Sequence, residues 1–217
     1  MRLFIAIDFC EATRSQLMSL TGELHRGALS GTFVDPANLH LTLAFLGECS
    51  TFEADRAAAA LDTLTFPPFD LTIDTLGCFS NHRKRSGSSN SPFSRGWRVA
   101  PGVVSNGKEN HVSRGSGNTW WAGIAPNPDL EALHAQLTGA LDAAQLSYER
   151  QAFKPHITLG RKVRLRDGRL PGDLAALPID IEEQVDAIHL YRSELGRGPG
   201  GSPRYHLLYT RTRRSVL

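Results

Sequence analysis

The four residues His40-Leu41-Thr42-Leu43 return as His156-Ile157-Thr158-Leu159, and this near-identity constrains the fold more than any other feature of the chain. In an extended strand side chains alternate between faces, so each copy sets an imidazole and a hydroxyl on one face and two aliphatic groups on the other. The aliphatic face needs a core, and the polar face is free to form a site. Two such strands side by side supply two groups that titrate near neutral pH and two hydroxyl donors, the set that acid–base chemistry on a phosphate diester requires.

The surroundings of the motif repeat as well. Arg2 to Phe9 reads as a strand, and residues 12 to 28 carry Leu17, Leu20, Leu24 and Ala28 at helical spacing, predicting an amphipathic helix that packs back on it. A connector from Thr32 to Asn38 with Pro36 leads into a motif strand from Leu39 to Gly47. The second half plays the same order. Thr119 to Ala125 is strand-like, and a helix from Pro128 to about Leu146 follows, with Asn127 as N-cap and Leu130, Leu133, Leu137 and Leu141 as its buried stripe. Tyr148 to Lys154 connects it to the second motif, again with a proline, Pro155. Ile7 to His40 is 33 residues and Ile124 to His156 is 32. Each half then continues into further strands: Phe69 to Phe79, after a helix over 53–64 ended by Pro67-Pro68, and Gln184 to Arg192 with Tyr205 to Thr212, after a polar stretch from Val163 to Pro178. A duplication of this kind predicts an α+β fold of two lobes related by a pseudo-twofold axis, mainly antiparallel sheet with helices outside. The motif strands line a central cleft, which brings together residues 116 apart in sequence.

With 217 residues and 41% hydrophobic content the chain can bury a sizeable core, and residues 1–217 are expected to form a single bilobal domain. No apolar run approaches the roughly 20 residues that span a bilayer, and the opening Met1-Arg2-Leu3-Phe4-Ile5-Ala6-Ile7-Asp8 lacks a signal-peptide pattern, so a cytoplasmic protein is expected. Cys10, Cys49 and Cys78 are odd in number and have no metal-ligand spacing; they are expected reduced and mostly buried. The formal charge of +2 is uneven. Residues 81–118 hold seven basic residues against Glu109, a local +6, which leaves −4 on the other 179 residues. Rich in Ser, Gly and Asn, this segment reads as a flexible basic insertion, either a solvated linker or an RNA-contacting arm. No surplus apolar face is evident on any element, so a monomer with no obligate protein partner is expected.

The paired motifs, together with Arg2-Leu3-Phe4-Ile5-Ala6-Ile7-Asp8, the flank Asn38 to Gly47 and Lys154-Pro155-His156-Ile157-Thr158-Leu159-Gly160-Arg161, resemble the 2H phosphoesterase superfamily. Within it the sequence is similar to the bacterial and archaeal RNA 2′,3′-cyclic phosphodiesterases, also called 2′-5′ RNA ligases. The resemblance extends to Leu76-Gly77-Cys78-Phe79 and Tyr191 to Leu195, and covers nearly the whole chain except 81–118. It implies a bilobal 2H-phosphoesterase fold and a substrate that is RNA or a nucleotide ending in a 2′,3′-cyclic phosphate, opened to a 2′-phosphomonoester.

That reaction needs one group to take a proton from water and one to protonate the departing ribose oxygen, with donors on the non-bridging oxygens. His40 is assigned as general acid and His156 as general base, with Thr42 and Thr158 as phosphate donors. Arg161 resembles the arginine that holds the phosphate and base in the family, and Phe4 is a candidate for contact with the nucleobase. No metal or other cofactor is called for, and a zinc site on His40 and His156 would lack a third ligand in either motif. Two other functions use the same residues or none of them: joining or cleaving a 2′-5′ linkage, and a non-catalytic module that binds RNA ends through the basic segment. His25, His134, His82, His111, His189 and His206 are read as structural, the last two without an acidic partner in view. Arg192 and Arg204 are read as surface residues near the cleft.

Overall fold

A computed structural model of the chain describes residues 1–79, 97–99, 117–166, 174, 178–198 and 201–213. Ten strands and three helices occur among these: β1 (Arg2–Ile7), α1 (Glu11–Arg26), β2 (Ala28–Phe33), β3 (Leu41–Glu48), α2 (Thr51–Asp62), β4 (Phe69–Phe79), β5 (Trp97–Val99), β6 (Asn118–Ile124), α3 (Pro128–Ala143), β7 (His156–Leu165), β8 (Ile181–Val185), β9 (Ala187–Glu194) and β10 (Arg204–Thr212). They form two antiparallel sheets, as the bilobal α+β reading requires. The first runs β10-β9-β1-β3, and the second runs β2-β7-β6-β4-β5 with β8 pairing β4.

The order reveals an exchange that the repeat alone does not. Each motif strand pairs with the opening strand of its own half, β3 with β1 and β7 with β6. The next strand in each sheet comes from the other half: β9 lies beside β1, and β4 beside β6. The two halves are therefore interleaved, and one continuous core runs through both sheets, including Leu3, Ile5 and Ile7 of β1 and Ile157 and Leu159 of β7. Burial follows the alternation expected of the motifs, since Leu41, Leu43, Ile157 and Leu159 are core residues while the histidines and threonines between them are only partly buried.

The helices form for local reasons. Ser50 and Glu53 make a reciprocal capping box at the start of α2, with Glu53 N donating to Ser50 Oγ at 3.2 Å and Ser50 N to Glu53 Oε2 at 2.8 Å. Asn127 caps α3, its Oδ1 accepting from Leu130 N at 2.9 Å ahead of Pro128 in the first turn. The expected leucine stripe of α3 is its buried face.

Several expectations need correction. Residues 28–33 are a strand, β2, rather than the end of a helix and a connector, and β2 extends the second sheet by pairing with β7. The main strand neighbours of α1 are β2, β7 and β8, so it packs on the second sheet more than on the opening strand. The single strand expected at 184–192 is two, β8 and β9, in different sheets and separated by Asp186. Cys10 is exposed, although all three cysteines are free as expected. His206 does have an acidic partner, Glu194 Oε2 at 3.1 Å, and Glu194 also pairs with Arg192. The segment expected as a basic insertion at 81–118 lies outside the described residues except for 97–99, which are β5, and Gly117-Asn118. No helix among the described residues is long and apolar enough to cross a membrane.

Candidate active site

The two motif strands adjoin where the sheets meet, and the connector ahead of the second motif reaches the first motif strand there, Glu149 N donating to Phe45 O at 2.9 Å. His40 immediately precedes β3 and His156 opens β7. Both imidazoles are held in the same way: Nδ1 of His40 lies 2.7 Å from the carbonyl of Asn38, and Nδ1 of His156 lies 2.7 Å from the carbonyl of Lys154. A carbonyl only accepts, so each Nδ1 carries the proton and each neutral ring keeps its lone pair on Nε2. Burial is the main force that lowers both histidines' affinity for a second proton. It takes His40 down to about 4, aided by the positive charges of Arg161 and His156 and opposed by the Asn38 carbonyl and the Asp8 carboxylate. His156 is lowered by burial and by Arg161, against the Lys154 carbonyl. The charges of Arg161 and His156 act at His40, and that of Arg161 at His156, so the three residues lie near one another.

Arg161 reaches that site through a β-bulge. In β7 the alternation that makes Ile157 and Leu159 core residues would turn residue 161 to the core as well. Leu159 is an extra residue between the pairs Thr158↔Trp121 and Gly160↔Trp120, however, and further on Arg161 and Lys162 together oppose the single residue Thr119, where Lys162 takes a left-handed conformation with φ 54°. Such an insertion re-aims the side chains of a strand. Arg161 is exposed, with its charge acting on His40, His156 and the phenol of Tyr205.

Aromatic walls enclose both histidines. Phe4 lies 4.9 Å from the His40 ring and stacks on Tyr191 at 5.3 Å, while Tyr205 presents its edge to both Phe4 (4.8 Å) and His40 (5.3 Å). On the other side Phe79 meets His156 edge-on at 5.1 Å and Trp121 stands 6.3 Å away. Trp121 fits because Gly77 and Gly123 flank it; a Cβ on Gly77 would sit 2.3 Å from the indole and one on Gly123 2.9 Å. That is the physical reason for the glycine in Leu76-Gly77-Cys78-Phe79.

Of the residues expected to form the site, His40, Thr42, His156 and Thr158 lie on the non-core faces of adjoining strands, and Arg161 is in reach of both imidazoles. Phe4 is also there, but at 4% exposed it is a closed wall of His40 more than an open platform, and Tyr205 covers it. Trp121 was not anticipated, although the repeat points to it. The offset of 117 that carries Ile7 onto Ile124 carries Phe4 onto Trp121. Tyr205 beside His40 and Tyr191 behind Phe4 were not anticipated, because their approach depends on the strand exchange; Asp8, just past β1, was not anticipated either.

Two interleaved sheets each bring a His-x-Thr pair to their junction, the arrangement expected of a two-histidine phosphoesterase. Comparison with known proteins agrees: residues 7–88 match the family described as LigT like Phosphoesterase, and residues 108–197 match the 2′-5′ RNA ligase superfamily. The chain is 29% identical over 213 residues to a Thermotoga maritima protein named RNA 2′,3′-cyclic phosphodiesterase, covering 96% of this chain and 94% of that one. A protein of the same name from Archaeoglobus fulgidus is 28% identical, covering 76% and 74%. Among solved structures, a Thermus thermophilus protein superposes with a TM-score of 0.69 at 25% identity over 100% of both chains. E. coli LigT complexed with 3′-AMP superposes at 0.66, covering 99% of this chain and 98% of that one at 24% identity, and so shares the fold. The chain is thus similar to LigT-like phosphoesterases over residues 7–88 and to the 2′-5′ RNA ligase superfamily over residues 108–197.

Proposed function

We propose that this protein is an RNA 2′,3′-cyclic phosphodiesterase that opens terminal cyclic phosphates to 2′-phosphomonoesters by two-histidine acid–base catalysis. The observation that carries the reading is the matched state of the two imidazoles, each donating Nδ1–H to a carbonyl two residues upstream and keeping Nε2 for the substrate. The names of the relatives from Thermotoga and Archaeoglobus support the same activity, and the 3′-AMP held by E. coli LigT fits a nucleotide end as the ligand.

In this mechanism Nε2 of His156 takes the proton of the attacking water, and the oxygen adds to phosphorus in line with the ribose 3′-oxygen. His40, protonated at both nitrogens, gives its Nε2 proton to that leaving oxygen. The hydroxyls of Thr42 and Thr158 donate to the non-bridging oxygens, and the Arg161 guanidinium balances their charge. The empty site disfavours a cationic His40, because burial and Arg161 both act against it. Arrival of the anionic diester adds an opposite charge beside the ring and restores the acid form when it is needed. The preferred partner is therefore an RNA or nucleotide end, met by a monomer in the cytoplasm, and the residues of the site supply the chemistry without a cofactor.

The deciding experiment is product analysis on an oligonucleotide ending in 2′,3′-cyclic phosphate. A 2′-phosphate is expected; a 3′-phosphate, or an unchanged substrate, would overturn the reading. The match of residues 108–197 to the 2′-5′ RNA ligase superfamily favours a second activity at the same residues. Initial rates of joining and of hydrolysis on one cyclic-phosphate RNA rank the two, with hydrolysis expected to be faster.

A further inference from the structure

We propose that Arg14, on the first turns of α1, is the positioning residue that sets the orientation and tautomer of His40. Its guanidinium is largely withdrawn from water, with the side chain 19% exposed. Nε donates to the carbonyl of Phe9 at 2.9 Å, and Nη1 donates to the carbonyls of Pro36 at 2.9 Å and Leu39 at 3.3 Å. The two connector carbonyls bracket Asn38, whose own carbonyl receives the Nδ1–H of His40. Arg14 thus pins both ends of the peptide segment whose middle orients the imidazole. Asn38 is also fixed from its side chain, Nδ2 donating to Pro203 O at 2.9 Å, two residues ahead of the Tyr205 ring that meets His40 edge-on.

The same guanidinium ties this mount to the opposite wall of the ring. Nη2 lies 3.5 Å from Asp8 Oδ1, while Asp8 Oδ2 accepts the hydroxyl of Tyr191 at 2.5 Å. Tyr191 stacks on Phe4, and Phe4 lies against His40. One side chain therefore joins the end of β1, the connector that holds the imidazole, and β9 behind its Phe4 wall. A planar fork with five N–H donors can span carbonyls on separate segments, and the compact ammonium of lysine cannot.

The chemical consequence lies in the tautomer. When His40 gives up its Nε2 proton it becomes the Nδ1–H neutral ring directly, with the Asn38 carbonyl already paired. A ring released from that carbonyl is free to turn over or to hold its single proton on Nε2, and then fails to cycle between acid and base at the substrate. Misplacement of a catalytic group by about 1 Å costs on the order of a hundredfold in rate.

Its kinetic arm rests on the phosphodiesterase reading, but its spectroscopic arm does not. Full-length protein labelled with 15N-histidine reports ring protonation through long-range proton–nitrogen correlations at pH 7.5. In the wild type the His40 and His156 rings are both expected as Nδ1–H. In Arg14→Lys, which keeps the charge beside Asp8, His40 is expected to lose its single Nδ1–H state while His156 keeps its own. The kcat on adenosine 2′,3′-cyclic phosphate is expected to fall roughly tenfold or more with KM within about threefold. Arg14→Met is expected to act in the same direction; should it not fold, Arg14→Lys decides. An unchanged His40 ring in folded Arg14→Lys overturns the proposal, and so does a change shared equally by His156. A wild-type protein inert toward the cyclic nucleotide would count against the phosphodiesterase reading and leave the ring measurement to judge Arg14.

Discussion

Four strands of each lobe can be laid over one another, while β2 and β8 of the second sheet have no counterpart in the first. From the motif strand outward, the first reads β3-β1-β9-β10 and the second β7-β6-β4-β5. Both place a histidine on an upstream carbonyl at the same 2.7 Å and an aromatic residue at the same repeat position, Phe4 in one and Trp121 in the other. They differ around that common frame. His40 meets Phe4 and Tyr205 and feels the Asp8 carboxylate, whereas His156 faces Phe79 and Trp121 and shares its strand with Arg161. The lesson is a division of labour. In the proposed mechanism the shared frame supplies two groups of the same chemistry, and the unshared surroundings are what would distinguish the acid from the base.

The severest way to break this comparison is to remove either imidazole. His40→Ala and His156→Ala are each expected to lower kcat on a nucleoside 2′,3′-cyclic phosphate by about 10²–10⁴-fold. The double variant should be little worse than either single one, since the pair acts as a unit. Wild-type rates from either single variant would end the two-histidine account.

Acidification should separate the lobes energetically. A buried His40 at about 4, against an unfolded value near 6.5, binds its proton less readily when folded. Between those values the unfolded chain holds more protons, so stability falls as the pH drops from about 6.5 to 4 and levels off below. The contribution is on the order of 2–3 kcal/mol. Urea denaturation at pH 7.5 and 4.5 should show that much less acid sensitivity in His40→Ala than in the wild type, and equal sensitivity would refute the assignment.

A gentler change tests the second wall. Gly77→Ala forces a methyl into the Trp121 indole and is expected to cost roughly 1–3 kcal/mol in urea titrations. The kcat should fall through His156, with the ring signals of His40 undisturbed. Smallest is Ser50→Ala, which removes the α2 capping box outside the site. It should cost about 1 kcal/mol and leave kcat unchanged, so a loss of activity there would show that the site is less local than the comparison holds.

Much of this was legible because the motif reports its own environment. His40, Thr42, His156 and Thr158 alternate with aliphatic residues, and period-two patterning states which face is buried. It does not state which strand lies alongside. β4 and β9 show their strand character plainly, yet their exchange between lobes depends on partners far along the chain, and so the Tyr191 and Phe79 walls did not emerge. β2 escaped for another reason: Ser30, Gly31 and Thr32 are exposed and carry no alternation, so only pairing to β7 makes them a strand. Arg161 was readable by resemblance alone, because strict alternation would have sent it into the core and the bulge at Lys162 is invisible to pattern.

The exchange of strands also bears on how the molecule comes into being. Phe4 pairs with Tyr191 in register, and Tyr191 in turn opposes Leu207. During synthesis β1 therefore leaves the ribosome long before its neighbour exists, and its sheet stays open at that edge until β9 and β10 are made. Such long-range closure is slow and leaves strand edges uncovered meanwhile. The His40 half of the site is encoded first and completed last, so a truncated chain would carry the first motif and still have no finished pocket around it.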